Sequence, residues 1–68
     1  MQIGKIIKEK RKKFGMTQSQ LANNLSLSTA YICMIEKDER VPSLKEFVKI
    51  VNYLEIPIKE ILCGALNI

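Results

Sequence analysis

At 68 residues the chain holds one domain at most, spanning 1–68, of a size where a single core is marginal and association between copies often helps. It has no histidine, no glycine-rich phosphate loop and no carboxylates paired in a recognisable pocket motif, so neither catalysis nor a cofactor is implied. The formal charge of +4 is concentrated: between Lys5 and Lys13, six basic residues against Glu9 put +5 into nine residues and leave the remainder near −1.

A basic end on an otherwise balanced chain fits a polyanionic partner, nucleic acid first and an anionic membrane surface second, with a solvated lysine face as the plain alternative. From Ile3 to Phe14 the apolar positions 3, 6, 7 and 14 give a first helix a narrow buried stripe, and Gly15 suits the left-handed residue past its end. Lys12 and Lys13 fall in its last turn, where they also suit the negative end of the helix dipole. Lys5, Lys8 and Lys10 interrupt the N-terminus too early for a secretory leader, and no apolar run approaches the ~18 residues of a membrane span. A cytoplasmic protein is expected.

Next comes Thr17 to Glu36, TQSQLANNLSLSTAYICMIE, which reads as two short helices joined by a tight turn. Thr17 and Gln20 form a capping box, and Leu21, Ala22 and Leu25 fall on one side of the helix it opens. Leu25-Ser26-Leu27 makes the turn, and Ser28 is an N-cap for the next helix. There Ile32 and Ile35 share one face, and Thr29, Ala30, Cys33, Met34 and Lys37 share another that lacks the acid and lysine pairs of an ordinary solvated helix. Small neutral residues on an outward face suit a surface pressed against something. On spacing alone a helical hairpin in any small bundle is the better-placed reading.

Lys37 to Pro42 is a polar loop closed by a proline. Ser43 and Glu46 then make a second capping box, opening a helix whose apolar stripe is Leu44, Phe47, Val48, Val51 and Leu54, the broadest in the chain. Glu55-Ile56 breaks it, Pro57 suits the start of a short fifth helix with Ile58, Ile61 and Leu62 on its apolar side, and Gly64 ends that helix. The class expected is therefore all-α, a compact bundle of five helices. Cys33 and Cys63 stand without histidine or a CxxC spacing, so both should be free thiols and no metal site is expected. The apolar surplus of Ile56, Ile58, Ile61, Leu66 and Ile68 exceeds what so small a core absorbs, and points to a dimer interface within about 56–68.

The run from Thr17 to Glu36 resembles the helix-turn-helix of the phage repressor and Cro family, also called Xre-like regulators. Ile3-Gly4, Ile7, Arg11, Gly15, Thr17-Gln18, Leu21-Ala22, Ser28, Tyr31-Ile32, Ile35-Glu36 and Pro42-Ser43-Leu44 stand where that family has them, so the similarity spans about residues 3 to 62. The resemblance implies double-stranded DNA as partner, with the second helix of the motif in the major groove of an operator and a homodimer on a palindrome. It implies base-facing roles for Thr29, Ala30, Cys33 and Met34. It implies backbone contacts from Gln18, Ser28, Lys37 and Arg40, with Lys12 and Lys13 beside them, and an ion pair between Arg11 and Glu36. Tyr31 is a core ring, a phosphate donor through its hydroxyl, or both.

The chain departs from the family pattern in two respects. Its base-facing positions often carry glutamine, arginine, asparagine or lysine, whereas Thr29, Ala30, Cys33 and Met34 cannot bond a base bidentately. Specificity would then rest on contact with thymine methyl groups, DNA shape and half-site spacing. Ser26 stands where the family usually has glycine. A transcriptional repressor is the expected function; the rival is a protein-interaction module, antitoxin-like, whose partner is a toxin or regulatory protein.

Overall fold

A computed structural model describes residues 3–57 and 59, and places four helices among them: α1 (Ile3–Lys13), α2 (Gln18–Asn24), α3 (Thr29–Glu36) and α4 (Leu44–Tyr53). The described part is all-α. The fifth helix expected from Pro57 onward falls almost wholly outside the described residues.

The starts of α2, α3 and α4 are each set by a hydroxyl. Thr17 accepts from the Gln20 amide at 3.1 Å while the Gln20 side chain accepts from the Thr17 amide at 2.9 Å, the full reciprocal box. Ser28 accepts from the Tyr31 amide at 3.1 Å and Ser43 from the Glu46 amide at 3.3 Å. Glu46 does not close a reciprocal box: its carboxylate accepts from the hydroxyls of Tyr31 and Ser43.

All four helices also end alike. After α1, Gly15 donates to the Lys12 carbonyl and Met16 to that of Arg11; the same pair of bonds runs from Ser26 and Leu27 after α2, Asp38 and Glu39 after α3, and Glu55 and Ile56 after α4. This is the Schellman closure, which needs a left-handed residue at its turn. Gly15 has φ 71°, but Ser26 (58°), Asp38 (58°) and Glu55 (54°) adopt it against the cost of a Cβ.

Inside lie Ile7, Leu21, Ala22, Leu25, Ile32, Ile35, Ile50, Val51, Leu54 and Ile56, with Ile3, Ile6, Met16, Leu27, Tyr31 and Phe47 packed at the margin. Three sequence expectations are corrected here. Phe14 lies just past the end of α1 and is 48% exposed, outside the buried stripe. In α4 the inward line is Phe47, Ile50, Val51 and Leu54, whereas Leu44 is 79% exposed and Val48 is exposed. At 100° per residue Val48 stands roughly 110° from the centre of that line, and Leu44 sits at its edge in the first helical position. Finally Ile56, assigned above to a dimer interface, is 4% exposed within its own subunit. The closure after α4 turns it back onto Val51, so it belongs to the core. Ile58, Ile61, Leu66 and Ile68 lie outside the described residues.

Candidate nucleic-acid interface

α3 offers one side to the core through Ile32 and Ile35, and leaves Thr29 and Ala30 exposed and Cys33 and Met34 half-buried on the other. An isolated eight-residue helix is marginal in water, so its position depends on what holds it. Four attachments do so.

The first is at Glu36, the last residue of α3. Arg11 of α1 donates to it from Nε at 2.7 Å and from Nη2 at 3.1 Å, a two-pronged pair whose side chains are 8% and 2% exposed. The third arginine bond, from Nη1 to the Met16 carbonyl at 2.7 Å, ties the same guanidinium to the turn before α2. Gln18, at the first position of α2, adds a bond from Nε2 to Glu36 at 3.0 Å. One carboxylate thus joins three helices.

Two residues past α3, the Asp38 carboxylate accepts from the Gly4 amide at 3.1 Å, an attachment that gives one of the free N–H groups at the start of α1 a partner. Gly4 is required by proximity: a Cβ there would meet the Ile35 carbonyl, the Glu36 carbonyl at 2.7 Å and Asp38 Oδ1 at 2.9 Å. At the other end, Ser28 caps α3.

Between them Tyr31 sends its hydroxyl to Glu46 on α4, while the Arg40 guanidinium lies over its ring, 5.2 Å from the centroid. The hydrogen bond to Glu46, aided by desolvation, holds the Tyr31 pKa above its ordinary value; the same bond holds that of Glu46 below its own. The pair therefore stands as neutral phenol and ionised carboxylate at neutral pH. Tyr31 is both a marginal core ring and a polar group at the surface. Lys49 of α4 completes the frame by donating to the Leu25 carbonyl at 2.8 Å, and Asn24 donates to the Tyr53 hydroxyl at 2.6 Å.

Of the residues singled out from sequence, Thr29, Ala30, Cys33, Met34 and Lys37 lie along or at the end of one side of α3. Gln18 is bound to Glu36, the Ser28 hydroxyl is engaged as a cap, and Lys12 and Lys13 are exposed at the end of α1. Cys33 is half-buried with a free thiol, and among the described residues no group of histidine, cysteine or carboxylate side chains is placed to hold a metal ion. Gly4, Asp38, Glu46 and Lys49 also belong to this frame, a role that the sequence pattern does not assign them. Gly4 did carry a signal, since a glycine inside a helical run costs stability unless something must come close.

A short helix with a small, neutral outward face, capped at its start and clamped at its end to the helix before it, defines the helix-turn-helix class. The family model for Helix-turn-helix matches residues 7–61, and the chain belongs to that family. It is a family of DNA-binding transcriptional regulators and not an enzyme class. Among curated proteins the chain is 36% identical over 64 residues to the cryptic phage CTXphi transcriptional repressor RstR of Vibrio cholerae, covering 94% of this chain and 56% of that protein. It is 37% identical over 62 residues to the immunity repressor protein of Bacillus phage phi105, covering 91% of this chain and 43% of the repressor. An uncharacterized HTH-type transcriptional regulator of Archaeoglobus fulgidus is 40% identical over 55 residues, 81% of this chain and 78% of the regulator. The chain spans about half the length of the two phage repressors. No solved structure gives a significant match.

Proposed function

We propose that this chain is a sequence-specific double-stranded DNA-binding unit of a cytoplasmic transcriptional repressor, acting as a homodimer on a palindromic operator. The observation that carries the reading is the clamping of α3 at both ends with Thr29, Ala30, Cys33 and Met34 left outward, a rigid mount for a helix that enters the major groove. Those four side chains meet base edges mainly through methyl and thioether contact, and Gln18, Ser28, Tyr31, Lys37, Arg40, Lys12 and Lys13 approach the sugar-phosphate backbone. The names of the two phage relatives support repression. Ile58, Ile61, Leu66 and Ile68 form the contact between copies, with Ile56 withdrawn from it.

Gel retention of mixed-sequence duplex at rising salt tests the reading. Several phosphate contacts per dimer should cost about 10³-fold or more in affinity between low and moderate salt, and Lys37→Ala should flatten the slope. Absence of salt-sensitive retention would instead favour the protein-interaction module.

A further inference from the structure

The Tyr31 hydroxyl has one hydrogen bond to donate, and in the free protein Glu46 accepts it. The same carboxylate oxygen accepts from the Ser43 hydroxyl at 3.0 Å, and Arg40 lies over the Tyr31 ring. Two hydroxyl donors with a guanidinium beside them are the groups by which proteins hold a DNA phosphate. Here a carboxylate occupies them. Glu46 is half-buried rather than sunk in the core, and although an acid suits the first turn of α4, that preference does not require its carboxylate to reach across to Tyr31 on α3. While it stays ionised it denies Tyr31 to a phosphate and repels one brought near.

We propose that Glu46 is a competitor built into the DNA-binding surface. Its carboxylate fills the Tyr31 and Ser43 donors in the free protein, and a backbone phosphate of duplex DNA takes those donors from it on binding. The inference rests on the DNA-binding reading above. Because phosphates carry no sequence information, Glu46 weakens binding to every duplex alike, and only a site offering good groove contacts readily displaces it. For a chain with a lysine-rich first helix this restrains non-specific retention.

The test measures retention of mixed-sequence duplex at one low salt concentration, together with thermal melting, for the wild-type chain, Glu46→Gln, Glu46→Ala, Tyr31→Phe and the double variant Tyr31→Phe/Glu46→Gln. Glu9→Gln, which removes an equal charge from the exposed side of α1, controls for net charge. Both Glu46 variants are expected to bind about three- to tenfold tighter than wild type, and Glu9→Gln to change affinity less than about twofold. The gain should shrink once Tyr31 has no hydroxyl. Glu46 variants that bind equally or more weakly while duplex is still retained overturn the competitor alone; if they also melt lower, Glu46 is a structural brace. A gain that persists undiminished in the Tyr31→Phe background also overturns it. Failure of every protein to retain duplex overturns the DNA-binding reading and the competitor with it.

Discussion

Glu36 is buried at the meeting point of α1, α2 and α3 and accepts three hydrogen bonds from Arg11 and Gln18. Replacing the carboxylate by an amide leaves a buried guanidinium without its counter-charge, a change that typically costs about 3–5 kcal/mol. Glu36→Gln should therefore lower the urea midpoint sharply, and a variant that unfolds like wild type would show that the pair contributes nothing. Gly4 offers a test of a different force. Alanine is the better helix former by about 1 kcal/mol, yet its methyl would meet two backbone carbonyls that cannot yield without shifting the end of α3. Overpacking of this kind costs roughly 1–3 kcal/mol, so Gly4→Ala should lower the melting temperature, the reverse of what propensity implies.

At the scale of the helices, the shared closure makes a comparison possible within one molecule. A left-handed conformation costs a residue with a Cβ about 1–2 kcal/mol, and glycine gives part of that back through its freedom in the unfolded chain. Ser26→Gly and Glu55→Gly should each raise stability by roughly 0.5–1 kcal/mol, read from denaturant midpoints. Asp38→Gly should not, because its carboxylate accepts from Gly4 and the relief of strain is offset by an amide left without its partner. Equal gains at all three positions would show the Asp38–Gly4 bond to be worth nothing.

At the scale of the whole molecule, the proposed function needs α3 held steady and a second copy to complete the reading of an operator. The proposed homodimer supplies the second half: two α3 helices related by a two-fold axis would span half-sites about 34 Å apart and combine the modest discrimination of methyl and thioether contacts. Sedimentation at micromolar concentration should report a dimer, and charged substitutions at Ile58 and Leu66 should yield folded monomers with much weaker duplex retention. Dimers of full affinity from those variants would move the interface elsewhere, with the exposed Leu44 and Val48 on α4 the next surface to substitute.

Sequence alone determined the starts of the helices after α1, the closing glycine of α1, the position of the turn between α2 and α3 and the family resemblance, because capping is settled among residues three to five apart. The left-handed turn at Ser26 follows from the same local geometry, once the family pattern marks that position as one for glycine. Which apolar side chains face inward was not legible in this way: Leu44, Val48 and Ile50 are equally apolar, and only the rotation of α4 against its neighbours buries Ile50 and exposes the other two. Ile56 has the apolarity of an interface residue, but the closure after α4 turns it onto Val51 and into the core. Glu46 has the spacing of a capping residue, and its bond to Tyr31 depends on packing that brings together two residues fifteen apart in the chain. Local hydrogen bonds are written in short spacings; burial and long-range pairing are set by how the helices pack.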